Sequence, residues 1–289
     1  MKKKLSFVAV LACVIGVLSF ALVGCGGSNP STSTSSTADS TSSASTASTD
    51  GTYTLVKDGK LTCISETGFA PFEYIDVTSD STAPIGFDID VANEVANRLG
   101  LTCEFLPSQD FDTLLPTIAQ GGKADVAIAG ITIQPDRAKT VDFTDPYYSS
   151  NLAVIVKKGS SETLETLNAA DKKIACQTGT TGNDWIKESL PNVAEPVALS
   201  EVSAGLNGVV SGMYDAYVID LPVAEKNLSS YADLAILEKI ATGEEYGIAV
   251  SKDSPALTKA INDVLAQMKS DGTLAKFEAK WLSEPTAAE

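Results

Sequence analysis

The 289-residue sequence contains no histidine. The commonest general base and the commonest metal ligand are therefore missing together, and neither a metal nor an organic cofactor is expected. Cysteine is scarce, with five residues at positions 13, 25, 63, 103 and 176. Positive charge is also in short supply: 21 lysines and arginines face 37 aspartates and glutamates, a formal net charge of −16. That balance excludes nucleic acid as a partner, because nucleic-acid binding needs a basic footprint. It would not draw the chain to an anionic membrane surface either. The excess acidity serves solubility and carries no information about a substrate.

One long apolar run is present, over residues 5–23, behind Lys2, Lys3 and Lys4. By length alone it could span a bilayer. It ends, however, in Leu22-Val23-Gly24-Cys25, which resembles the bacterial lipobox. That resemblance implies a signal peptide over residues 1–24, removed before Cys25, and a lipid on the Cys25 thiol that attaches the protein to the membrane. Residues 25–52 are nearly all Ser, Thr, Ala and Gly, with too little apolar surface to offset the entropy of ordering them. They read as a flexible tether. Cleavage would take the net charge to −19 and leave Cys63, Cys103 and Cys176. Cys63 and Cys103 fall at matching points of two neighbouring strands. Free thiols are expected there, with a disulfide as the alternative.

From residue 53 onward the chain alternates strand and helix patterns. Strands are expected over 60–65, 101–106, 124–129, 151–157, 172–177, 193–198, 215–219 and 246–250. Asp88 is expected to cap a helix whose Ala92, Val95, Ala96 and Leu99 share one face, with Gly100 stopping it. Helices follow over 111–120, 182–190, 201–211, from Leu221, over 254–270 and over 273–282, and Pro135 opens a short helical turn. Such alternation predicts mostly parallel sheets with helices on both faces, and the number of strands predicts two sheets. Ligands of these folds sit beyond the carboxyl ends of strands. The chemistry is therefore sought in the loops that follow strands.

Those loops are informative. After the first strand comes Glu66-Thr67-Gly68-Phe69-Ala70-Pro71-Phe72-Glu73. After the third comes Ala129-Gly130-Ile131-Thr132-Ile133-Gln134-Pro135-Asp136-Arg137, and then Val141-Asp142-Phe143-Thr144-Asp145-Pro146-Tyr147-Tyr148. In the second half Gln177-Thr178-Gly179-Thr180-Thr181-Gly182 leads from a strand into a helix, and Asp220 follows another strand. Together with Gly86-Phe87-Asp88, these motifs make residues 61–282 resemble the polar amino-acid family of bacterial extracellular solute-binding proteins, the substrate-binding lipoproteins of ABC transporters. The resemblance implies an α/β clamp of two lobes of the periplasmic-binding-protein type. Lobe 1 would comprise residues 53–149 and 246–289, lobe 2 residues 150–245, with two crossing strands as the hinge, near 149–151 and 244–247. It further implies a monomer that binds a free amino acid on the outer face of the cell membrane and passes it to a membrane permease.

The residues suit that task. A free amino acid is a zwitterion, so a closed site must pair both charges. Arg137 offers a planar fork for a carboxylate. Ala129, Gly130 and Thr132 lie where backbone and hydroxyl donors can meet the same group. Thr180 and Thr181 stand at a helix N-terminus, where unpaired amides and the helix dipole favour an anion. Asp220 can accept from the ammonium. These are the roles the resemblance implies, whereas on the residues alone Arg137 reads as a solvated charge and Asp220 as a helix cap. Side-chain selection falls to Glu66, Phe69, Phe111 and Gln177. Two aromatic faces and a carboxylate lean toward a cationic amino acid (arginine, lysine or histidine), with glutamine, then cystine or another polar amino acid, as alternatives. Two other classes of function fit the same scaffold. One is a dehydratase-like enzyme in which Glu66 would serve as acid and base. The other is a sensor or adhesin without a transporter.

Overall fold

The computed structural model describes residues 53–283. The expected leader, the lipidated Cys25 and the Ser/Thr-rich tether lie outside the described residues. Among the described residues no helix is long and apolar enough to cross a membrane.

Among the described residues the chain forms two five-stranded sheets and a two-stranded hairpin, Gly68–Phe69 with Glu73–Tyr74. The first sheet runs in the order Thr102–Phe105, Lys60–Ile64, Val126–Ala127, Ala249–Val250, Asp142–Phe143. Helices Phe87–Arg98, Phe111–Gln120, Pro255–Ser270 and Thr273–Trp281 pack on it or on one another. The second runs in the order Leu234–Tyr246, Tyr148–Lys157, Ala216–Asp220, Ile174–Gln177, Val197–Leu199, with helices Thr181–Ser189, Val202–Ser211 and Leu221–Leu228. The first sheet thus draws on both ends of the described chain and the second on its middle, giving a two-lobed α/β clamp. Parallel pairing holds for the three strands at the start of the first sheet and the three at the end of the second. Ala249–Val250 and the two long strands Tyr148–Lys157 and Leu234–Tyr246 run antiparallel to their neighbours. The sheets are therefore mixed, a correction to the mostly parallel expectation.

Leu234–Tyr246 has a counterpart among the expected elements only at its end, at the expected second crossing near 244–247. Its 13 residues include Lys, Gly and three glutamates, a composition that disfavours a strand. It lies at the sheet edge, pairs on one side only, and accommodates two register shifts, between Ile236 and Glu238 and between Ile240 and Glu244. Tertiary pairing overrides propensity here. Its last residue, Tyr246, pairs with Tyr148, the first residue of the other long strand. At this junction Phe72 packs edge-on against both rings at 5.3 Å, and the two tyrosine rings are 5.6 Å apart. One aromatic cluster therefore ties the first lobe to both connecting strands.

Asp88 does not cap its helix. Gly86 is the N-cap, at φ 136°, and any Cβ there would lie 2.1 Å from the Phe72 carbonyl oxygen. Close approach lets Phe87 and Asp88 donate their amides to Pro71 and Phe72 carbonyls at 3.0 and 2.9 Å, which pins the Phe69–Phe72 turn against the helix. The Asp88 side chain turns inward instead of capping. Cys63 and Cys103 hold neighbouring strands as expected, their sulfur atoms 3.5 Å apart and unbridged.

Candidate ligand-binding site

Phe69, Phe111, Gly130, Thr132 and Arg137 from the first lobe face Gln177, Thr180, Thr181 and Asp220 from the second around a single cavity. Its free volume is about 10 Å³. A water molecule is the most that such a space admits, and small-molecule pockets run roughly thirtyfold larger or more. Both lobes are thus drawn together over the site, and a ligand of amino-acid size needs them to part. Ala129 is not on this cavity. Its methyl is buried in the core of the first lobe, and its backbone leads directly into Gly130 on the cavity wall. A larger open groove of about 770 Å³ adjoins the cavity and shares Thr132 and Thr181 with it. The small cavity is the better site for a zwitterion, because only there do Arg137 and Asp220 meet.

Arg137 bridges the lobes. Its guanidinium donates to the Thr132 carbonyl at 2.8 Å within its own lobe and to the Gly179 carbonyl at 2.9 Å across the cleft. The same group lies 5.5 Å from the centre of the Phe111 ring, a cation–π contact. Phe111 therefore has the arginine for a neighbour as well as the cavity. Two carbonyls use two of the five guanidinium donors, so the fork keeps donors for an anion. Gly179 closes on Phe111 and Asp112 so tightly that a Cβ on it would lie 3.0 Å from that of Asp112, and its φ is +77°. Gly130, at φ +53°, sits equally close under the Phe69 ring, 3.0 Å from where its Cβ would be. Those two backbone positions let the loops approach without side chains between them.

Asp220 is the last residue of its strand and 6% exposed. Although it occupies the N-cap position of Leu221–Leu228, its side chain makes no capping bond. It accepts instead from the Tyr246 hydroxyl on the return strand. Burial first, then the nearby Glu244 carboxylate, push its pKa up to about 7, with Tyr246 and Arg137 working against the rise. Glu244 was not legible in the sequence. It is 8% exposed, accepts from Thr132 Oγ1 at 2.9 Å and from the Thr181 side chain, and faces Arg137. Nothing in a polar Gly-Glu-Glu-Tyr run marks its first glutamate as buried.

Glu66 is 5% exposed and accepts from Gln177 Nε2 at 2.8 Å. Burial drives its carboxyl up to about 7, opposed by the Gln177 bond and reinforced by Glu201 and Asp110. Phe69 is buried under the same turn. Thr180 directs its hydroxyl back to the Gln177 carbonyl at 2.8 Å, leaving the amides of the Thr181–Ser189 helix toward the cavity end.

A second buried carboxyl pair supports the site from behind. Asp88 Oδ2 accepts from the Gly130 amide and the Tyr147 hydroxyl, both at 2.7 Å. Glu73 is fully buried, and neither its oxygens nor Asp88 Oδ1 has a donor from elsewhere. Burial and then the Asp88 charge hold Glu73 well above the usual carboxylate range, while Asp88 is raised to about 6. The Asp88 bond to the Gly130 amide ties the Gly130 loop to the start of helix Phe87–Arg98. Among the described residues no group of three or more Cys, Asp or Glu is arranged to hold a metal ion.

The chain is similar to several known proteins. The sequence profile of the bacterial extracellular solute-binding proteins, family 3, matches residues 61–284. The ABC transporter arginine-binding protein 1 of Escherichia coli is 31% identical over 221 residues, covering 75% of this chain and 88% of that protein. A probable histidine-binding protein of Neisseria gonorrhoeae is 34% identical, covering 76% and 82%. Among solved structures, an ancestral arginine-binding protein bound to arginine superposes with a TM-score of 0.72 at 37% identity, over 78% of this chain and 99% of that one.

Proposed function

The chain belongs to the bacterial extracellular solute-binding proteins, family 3, and from that premise we propose that it captures a free polar L-amino acid, by preference a cationic one, and delivers it to an ABC-type permease. One observation carries the reading: Arg137 and Asp220, opposite charges from opposite lobes, line a single cavity with Gly130, Thr132 and Thr181. Arg137, Thr132, Gly130 and the Thr181 helix end take the α-carboxylate, and Asp220 takes the α-ammonium. Glu66, Phe69, Phe111 and Gln177 meet the side chain. The cationic preference draws on the buried Glu66 carboxylate and on the arginine- and histidine-binding relatives.

The function is binding and release, without a reaction. Residues 53–149 with the described part of 246–289 form one lobe and residues 150–245 the other, and the protein acts as a monomer outside the cytoplasm. Lipid on Cys25 holds it at the membrane after removal of residues 1–24. Thermal-shift screening of the full chain against the twenty amino acids tests the proposal. A melting-temperature rise with arginine, lysine or histidine is expected, and no response to any amino acid would end it.

A further inference from the structure

Beyond the Gln177–Glu66 hydrogen bond lies a separate chamber of about 340 Å³. Three carboxylates stand on its wall: Glu66, Asp110 and Glu201. Asp110 precedes helix Phe111–Gln120 in the first lobe, and Glu201 precedes helix Val202–Ser211 in the second. Each occupies an N-cap position, yet neither makes a side-chain capping bond. Helix capping therefore does not account for these two charges. Nor is any of the three in an ion pair among the described residues; Lys123, on the same side, is held by Gln109 Oε1 at 3.2 Å.

The second observation concerns unmet hydrogen bonds. Glu66 Oε1 and Gln177 Oε1 are buried acceptors without any donor, although both residues are nearly inaccessible. Buried acceptors left unpaired cost free energy, so such a pair marks a place where a donor belongs. Glu66 Oε1 is directed at the chamber. It lies 3.3 Å, and Glu201 Oε2 3.5 Å, from the one point that a Cβ on Gly68 would occupy. Gly68 keeps that point clear. Carboxylate oxygens from the two lobes thus converge on the same space, and the Gln177–Glu66 hydrogen bond stands between it and the amino-acid cavity.

We infer that Asp110 and Glu201, closing on Glu66 from opposite lobes, form a receptor for the cationic end group of the bound amino acid, and that they are specificity-determining residues. The inference rests on the amino-acid reading above. A guanidinium suits the chamber best, since its several coplanar donors can serve Glu66 Oε1 and Gln177 Oε1 together and still face Glu201. Because Glu201 comes from the second lobe, the chamber is complete only on closure, so a cationic end group favours the closed state. Asp110 and Glu201 are exposed, and their pull is screened by solvent, which sets a modest effect for each.

Titration calorimetry of the full chain with arginine and with citrulline, whose ureido group has the same shape without the charge, tests the assignment. Arginine is expected to bind at least about tenfold more tightly than citrulline. Glu201→Gln and Asp110→Asn should each reduce the arginine-to-citrulline ratio by about twofold to fivefold, and together by more than either alone, the remainder resting on Glu66. Both sites are exposed, and melting curves of the variants verify folding. Equal affinity of the parent for the two ligands, or variants that weaken both equally, would overturn the chamber while leaving amino-acid binding in place. Binding of no amino acid at all would remove the parent reading together with it.

Discussion

Thr132 Oγ1 donates to the Glu244 carboxylate at 2.9 Å, joining the loop after the third strand to the return strand. Thr181 and Arg137 converge on the same carboxylate. These are the groups assigned to the ligand's α-carboxylate, so in this closed form Glu244 satisfies the donors that a ligand would otherwise claim. Glu244 also raises the Asp220 pKa, and so disfavours the ionised form that an ammonium needs. Both effects oppose binding. Glu244→Gln keeps an acceptor for Thr132 while removing the charge, and tighter binding by about tenfold is expected. Calorimetry at pH 7 measures it directly; unchanged or weaker affinity would show that Glu244 does not compete.

The Glu73–Asp88 pair gives a stability prediction. If Glu73 is the protonated partner, an amide in its place can donate to Asp88 Oδ1 equally well. Glu73→Gln should then fold and melt within about 1 kcal/mol of the parent. Glu73→Ala leaves the buried Asp88 oxygen without its donor and opens a cavity, at a cost of about 3 kcal/mol. Denaturant titration distinguishes the two. Comparable destabilisation by both substitutions would mean that no proton is shared.

Much of this site was legible from motifs. The segments around Gly130 and Arg137 and the Gly179 loop each follow a strand, Asp220 ends one, and periodicity located those strands to within a few residues. Helix Phe111–Gln120 was placed at its observed bounds. What escaped was polar and buried by tertiary pairing. Glu244 lies in a stretch whose composition argues against a strand, and only its pairing with Tyr148–Lys157 carries it into the cleft. Asp88 looked like a helix cap because the rule that places acids at helix starts cannot see Gly130 arriving from 42 residues away.

The same raised carboxyls make stability depend on pH in an unusual direction. Glu66 and Asp220 are lifted to about 7 and Asp88 to about 6, from ordinary values of 4.5, 3.8 and 3.8. Between about pH 4 and pH 7 the folded state therefore holds more protons than the unfolded chain, and stability falls as pH rises. Their contribution is fully present below about pH 4 and lost by about pH 7. The melting temperature of the ligand-free protein should be several degrees lower at pH 8 than at pH 5, at roughly 2–4 °C per kcal/mol for a domain of this size. Arginine should reduce the fall, because a bound cation and ammonium favour the ionised forms. Calorimetric scans across pH 5–8 test this, and a melting temperature that climbs steadily over that range would contradict it.

Arg137 and Asp220 should separate binding from stability. With both ligand charges enclosed, truncating either partner strands a buried charge, at about 3–5 kcal/mol, or more than about a hundredfold in affinity. Arg137→Lys should recover part of that loss, since an ammonium keeps the charge but not the planar fork. Arg137→Ala also removes the bond to the Gly179 carbonyl, so it should loosen the closed form of the free protein as well. Asp220→Asn behaves differently. In the free protein it relieves the repulsion with Glu244 and the cost of burying an anion, so at pH 8 it should raise the melting temperature while abolishing amino-acid binding. Opposite signs in the two measurements are not what a merely structural aspartate would give. A variant Asp220→Asn that melts lower and binds as tightly as the parent would show that this carboxylate is a structural support and that the ammonium is held elsewhere.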